Sequence, residues 1–223
     1  SDIFLAKFDP EGALLWIDQF GTAQSDIAAA LRFDPSSGGL IVGANLADGA
    51  GGYDMHIARY DTNGNRQGDV TFGGSGSGFL TDAIVDDTGA VYFTGTHTET
   101  IQWDVNTSTT ATGVTELFVV KIDAANALSW VAEAPLAAAT SFSRGGGLAL
   151  DANGGLYLGG FVGGDTSFGM QTVTSYSPDA FLAKLDANGA WQWVSPFEGA
   201  GADAIGALKF LGSKLYFVGS TNG

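Results

Sequence analysis

The chain has no cysteine among its 223 residues, which excludes disulfide cross-links and thiolate metal ligands. It is also short of positive charge, with 9 Lys and Arg against 24 Asp and Glu and a formal net charge of −15. Surfaces that grip phosphate need clustered Lys and Arg, so nucleic acid and anionic membrane are excluded as partner classes. Cations, cationic proteins and neutral polymers such as glycans stay open, and the acidity also serves solubility. No stretch reaches the ~18 consecutive apolar residues of a membrane helix. Charged residues make up only 15% of the chain while hydrophobic ones make up 45%, with 34 glycines. That balance excludes disorder and fits many short strands joined by tight turns.

What is present is one segment written four times. Asp2-Ile-Phe-Leu-Ala-Lys7-Phe-Asp9 recurs as Asp54 to Asp61, Glu116 to Asp123 and Asp179 to Asp186, with starts 52, 62 and 63 residues apart. Each copy has an acid first, a cation sixth (Lys7, Arg59, Lys121, Lys184) and an aspartate eighth (Asp9, Asp61, Asp123, Asp186). Self-similarity at such a period signals a repeat architecture, because one unit cannot bury its apolar faces alone. The chain reads as a single domain of repeats at about 1–52, 53–115, 116–178 and 179–223. It opens at Ser1 inside a repeat motif and reads as a processed product or a piece of something longer.

Each copy alternates like a strand and runs into a turn such as Asp9-Pro-Glu-Gly12 or Asp186-Ala-Asn-Gly189, then into a second β-rich run. Between these hairpins lie four more: Ile27–Phe33 into Leu40–Gly43, Leu80–Val85 into Val91–Gly95, Gly147–Leu150 into Leu156–Gly160, and Ile205–Phe210 into Leu215–Gly219. Their first strands are rich in small residues, as suits strands crowded near an axis. Eight hairpins make sixteen strands, or four sheets of four. The expectation is an all-β protein of β-propeller blades. The chain opens on an outer hairpin and closes on an inner one, so Ser1–Phe20 is expected to pair with Ile205–Gly219 and close the ring. An arc of a larger propeller, or two chains sharing one ring, is the alternative.

The pattern Asp-Ile-Phe-Leu-Ala-Lys-Phe-Asp with its Gly turn, then Leu-Leu-Trp or Trp-Gln-Trp, then Leu-Tyr-Phe-Val-Gly-Ser-Thr, resembles the bacterial SBBP propeller repeat. It is strongest at Ser1–Phe20, Gly154–Gly160, Asp179–Phe197 and Leu215–Thr221. The resemblance implies a propeller in an extracellular or cell-surface setting, and it implies no catalytic residues. Two repeats depart from the pattern. The second has Asn65-Arg-Gln-Gly68 where the others place Trp16, Trp130 or Trp193, so Arg66 is expected on a solvated outer strand. The third has Asn126 in place of the turn glycine.

The repeated acid, cation and aspartate read as architecture, because a catalytic group occurs once per site. Lys7 and Asp9 lie two apart on a strand and share a face, so a salt bridge or backbone contact between blades is expected. Asp-x-Asn-Gly at Asp61, Asp151 and Asp186 resembles the start of a calcium loop, but no bidentate Glu follows about twelve residues in. Calcium is a possible incidental ligand, and no cofactor or metal is expected to be required. His56 replaces an apolar strand residue and reads as packed; His97 opens a long loop. Trp103, Phe168 and Tyr176 lie in the two long connections, and with His97 they are the candidate partner-binding residues. Gly73–Gly78 lacks the Lys-Ser/Thr of a phosphate loop and reads as a connector. Asp82, Asp203 and Asp26 sit at inner strands, and their near-repetition argues against catalysis. The resulting expectation is a noncatalytic extracellular or cell-surface scaffold module, not an enzyme, that binds a protein or glycan and belongs to a larger multidomain protein or assembly. A glycan-binding propeller is the alternative, and an enzyme using channel carboxylates is a third reading.

Overall fold

The computed structural model describes residues 1–222 and, among them, contains strands and turns but no α-helix. The chain begins with a free-standing hairpin, β1 (Ile3–Phe8) and β2 (Leu14–Phe20). Three complete four-stranded antiparallel units follow. The first is β3 (Ile27–Phe33), β4 (Leu40–Ala47), β5 (Tyr53–Tyr60) and β6 (Arg66–Gly74). The second is β7 (Gly78–Val85), β8 (Val91–His97), β11 (Glu116–Ile122) and β12 (Leu128–Glu133); the third is β13 (Phe142–Leu150), β14 (Leu156–Gly163), β17 (Asp179–Leu185) and β18 (Trp191–Phe197). A second free-standing hairpin, β19 (Ala204–Leu211) and β20 (Lys214–Ser220), ends the chain. The sixteen expected strands are all present in a propeller-like succession, and β3, β7, β13 and β19 pack side by side as its inner strands.

The ring is not closed. The expected single sheet of Ser1–Phe20 with Ile205–Gly219 does not form, since β1–β2 and β19–β20 are two separate sheets. Three complete units lie between these hairpins, and β3 does not pack on β19 as neighbouring inner strands do. The edges are left bare, with Phe4 69% exposed and Val218 66% exposed.

The four other strands lie in the two long connections. β9 (Thr100–Gln102) and β10 (Ser108–Thr110) form a hairpin whose first strand adds to β6 at Gly73 and Gly74, tying the second unit to the first. β15 (Thr166–Phe168) and β16 (Gln171–Val173) form a separate hairpin. Gly73 and Gly74 thus end β6 and Gly78 begins β7, which leaves only a short connector between them.

One device shapes the outer turns. The Oδ1 atoms of Asp9, Asp61, Asp123 and Asp186 each accept the backbone N–H four residues on, from Ala13, Asn65, Ala127 and Ala190, at 2.7 to 3.0 Å. The cation of each repeat serves its own unit more than the junction. Lys121 lies 4.0 Å from Asp86 and Lys184 lies 3.2 Å from Asp151, both in the turn of the inner hairpin of the same sheet. Only Lys7 and Arg59 reach the next repeat, Lys7 by donating to the Thr62 carbonyl at 3.0 Å.

Trp16, Trp130 and Trp193 face Lys7, Lys121 and Lys184 across their hairpins, and the residue facing Arg59 is Gly68. Trp16 and Trp130 lie flat against the turn glycine of the next repeat: a Cβ on Gly64 or Gly189 would stand 2.6 or 2.7 Å from the ring. At the junction between the first and second units, where Gly68 supplies no indole, the Arg59 guanidinium takes the place. It donates to Asn126 Oδ1 at 2.6 Å, to the Asp123 carbonyl at 2.8 Å and to the Gly89 carbonyl at 3.0 Å. The two departures from the repeat pattern are therefore one exchange: an indole on glycine has become a guanidinium on asparagine. Arg66, on a mostly exposed strand, stacks 4.6 Å from the Phe20 ring.

The core lies between sheets. One cluster, centred on Phe72, Phe93 and Phe118, joins the first and second units, and another, centred on Leu117, Leu158 and Phe181, joins the second and third. These junctions make the glycine turns sensitive. Gly154 and Gly189 have the same left-handed φ, 78° and 81°, but Gly154 faces open space while Gly189 faces the Trp130 ring. Gly154→Ala is expected to cost about 1 kcal/mol of backbone strain. Gly189→Ala adds overpacking and should cost about 2–4 kcal/mol; urea unfolding of both variants measures the difference, and equal losses would remove the tryptophan contact from the account.

Candidate functional site

The second-to-third strand connections carry the residues expected to bind a partner, and the structure separates them. Trp103 is buried: its indole packs 5.2 Å from Phe118 and 5.7 Å from Phe72, and its Nε1–H donates to Thr109 Oγ1 at 2.7 Å. Phe168 is buried between Phe181 and Trp191 at 4.9 and 5.0 Å. His97 is buried with Nε2 2.9 Å from Glu133 Oε1. These three are core residues rather than a binding surface, because each long loop folds back to cover the apolar gap between neighbouring sheets. Tyr176 alone of the four is fully exposed. His56 is packed as expected, with Nδ1 2.8 Å from Thr71 Oγ1, and burial lowers its pKa.

The largest concavity is a groove of about 590 Å³ that all four inner strands line, with Arg32, Asp82, Leu148, Lys209 and Phe210 among its walls. Asp82 is its centre. The Leu148 N–H donates to Asp82 Oδ2 at 2.9 Å, the Ala83 N–H donates to Oδ1 at 2.8 Å, and the Arg32 guanidinium donates to the same Oδ1. One carboxylate thus joins β3, β7 and β13. Burial pushes its pKa up, and this outweighs the opposing pull of the Leu148 N–H and of Arg32.

The inner strands share a bulge, between Ala28 and Ala30, Leu80 and Asp82, Gly145 and Gly147, and Ile205 and Ala207. Asp82 follows its bulge, where the other strands have Ala30, Gly147 and Ala207. Asp26 and Asp203 instead stand three residues before theirs. The near-repetition read from the sequence therefore holds for Asp26 and Asp203 and not for Asp82, which is unique. Asp26 is spent on structure: it accepts the Thr22 N–H and hydroxyl at 2.6 and 2.9 Å and the Ala47 N–H at 2.8 Å.

Two smaller pockets occupy one position in two units, between the segment entering the inner strand and the second-to-third strand loop. The first, about 340 Å³, is lined by Gln24, Ser25, Ala47 and Tyr53 among others. The second, about 330 Å³, is lined by Thr140, Ser141, Ser175, Tyr176 and Ser177 among others. Both present amides or hydroxyls with one tyrosine, and no cation. Neither was legible in the sequence, because the lining residues come from segments far apart in the chain and follow no shared motif. No group of three or more side chains suited to a metal occurs among the described residues.

No protein-family model matches the chain, and no curated protein does. Among solved structures, the chain is similar to a crystal structure of an ACO/RPE65 chimera, at 13% identity and a TM-score of 0.43 over 86% of this chain. The match covers 43% of that chain's length. The expectation that this protein is not an enzyme is withdrawn on this finding, because the neighbour comes from enzymes. At this degree of likeness no activity passes from it to this chain.

Asp82 yields a test of the groove. A carboxyl with its folded pKa raised above the usual 3.8 contributes stability below that pH and loses it as pH rises through the folded value. Asp82→Asn removes this term while keeping an acceptor for the Leu148 N–H, so its stability relative to the parent should improve between pH 3 and pH 7. Asp82→Ala leaves that N–H and Arg32 without an acceptor and should cost about 2–3 kcal/mol at pH 7. Urea unfolding at both pH values reads both effects.

Proposed function

We propose that the sheets are blades of a β-propeller of the SBBP-like kind, four blade-equivalents in which the N-terminal outer hairpin completes the last blade, serving as an extracellular or cell-surface interaction module that binds neutral glycans. The observation that carries the ligand class is the recurrence of one pocket at two equivalent blade junctions, at about 340 and 330 Å³. Sugars are held by hydroxyl and amide groups together with an aromatic face, which is the inventory of both pockets. The net charge of −15 favours uncharged over anionic sugars. Repetition also suits a polymer, since two weak sites on one rigid frame reinforce one another when a single chain can span them.

Tyr176, fully exposed at the rim of its pocket, is the residue expected to stack on a ring, with Tyr53 as its counterpart. A glycan array with the parent protein should show binding to neutral oligosaccharides. Tyr176→Ala should weaken it at least tenfold, about 1.4 kcal/mol, and Tyr53→Ala should weaken the longer ligands more than the short ones. Trp103→Ala should act through stability alone, since its indole is interior. Unchanged binding by Tyr176→Ala, measured on folded protein, removes these pockets as the ligand site.

A further inference from the structure

We propose that β20 of one chain pairs with β1 of a second copy, and β1 with the second copy's β20, so that two open arcs close one ring. The proposal rests on the propeller reading and adds the partner and the register.

In each complete unit the second and third strands pair in one register. Leu40 faces Tyr60, Val91 faces Ile122 and Leu156 faces Leu185, and in each pair the second residue immediately precedes the aspartate of an outer turn. Applied to the free hairpins, the same rule sets Leu215 against Phe8, Tyr216 against Lys7, Phe217 against Ala6, Val218 against Leu5 and Gly219 against Phe4.

Two chemical pairs support this register independently. Lys121 lies over the Tyr92 ring and Lys184 over the Tyr157 ring, each at 4.8 Å, and the rule places Lys7 on Tyr216. Three positions further along, Gly95 faces Phe118 and Gly160 faces Phe181, with a Cβ on either glycine reaching 3.0 Å from the phenyl ring. The rule sets Gly219 against Phe4. Phe118 and Phe181 are fully buried where Phe4 is 69% exposed, and Tyr92 is 3% exposed where Tyr216 is 53% exposed. The free edges therefore carry the residues of a blade interior without its other half.

The same chain does not supply that half, because three complete units separate its two hairpins and β3 does not pack on β19. Self-closure would have to bring those strands together across the groove and repack every junction. A second arc docks as a rigid body, and two-fold symmetry makes both junctions at once and leaves no free edge. Three complete units per copy and two composite ones give eight blades, at the upper end of the ~4–8 usual for propellers.

The absence of cysteine allows a clean cross-linking test. Two variants of the full chain are made, Lys7→Cys with Tyr216→Cys and Ala6→Cys with Phe217→Cys. Adjacent pairs are used because alternate pairs of an antiparallel ladder differ in closeness. After oxidation, at least one should migrate without reductant at twice the 22.9 kDa of the chain, and the unmodified protein should give that dimer mass by light scattering. A slipped control, Leu5→Cys with Tyr216→Cys, should cross-link at least tenfold less. An internally linked monomer would overturn the second copy and keep the propeller and the register. A ladder of higher multiples would overturn two-copy closure. No cross-link in either variant, with circular dichroism unchanged from the parent, would overturn the edge pairing itself.

Discussion

The structure depends on neighbouring inner strands approaching so closely that side chains have little room between them. A Cβ on Gly147 would come within 2.9 Å of the Ala207 backbone, and one on Gly159 within 2.3 Å of Ile205. At that distance sheets are joined by polar side chains that bond the backbone of the next unit. Asn45 both donates to the Leu80 carbonyl and accepts its N–H, the Thr81 hydroxyl donates to the Gly145 carbonyl, and the Ser143 hydroxyl accepts the Leu117 N–H. Each bond satisfies a buried polar group that would otherwise cost about 1–3 kcal/mol. The Asp82 brace belongs to the same system, with a full charge in place of an amide or hydroxyl.

The strands and their order were legible because two signals coincided at every hairpin: alternation along the strand and a turn whose aspartate and glycine have one conformational use. β3 was legible to the residue, and Leu156 and Val91 were correctly placed as strand starts. The four loop strands were less so, since three-residue runs such as Gln171–Val173 carry little periodicity. The open ring was not legible at all. Complementary half-blades at the two ends of a chain look the same in sequence whether they meet each other or meet a neighbour, and only the spacing of the inner strands tells them apart.

The site was read less well than the fold. Trp103 and Phe168 occupy long loops, and loop aromatics suggest an exposed surface; both are buried because those loops cover the seams between sheets. The unique character of Asp82 was masked by one extra residue. A bulge displaces every later side chain by one place, so Asp82 and Asp203 look alike by position along their strands until the bulges are aligned. The repeated charges were read correctly as structural, although Lys121 and Lys184 serve their own sheets rather than the seams.

The exchange of Trp and Gly for Arg59 and Asn126 has a consequence for how such an array can change over time. A tract of near-identical repeats invites unequal recombination, which deletes or duplicates whole copies. Here the second repeat carries the guanidinium that fits only the asparagine turn of the third, while the flanking seams join an indole to glycine. Moving a copy one place sets an indole against a Cβ, or leaves a guanidinium without its acceptor. The seams therefore act as keys that differ from one another, and they give each repeat an address in the chain.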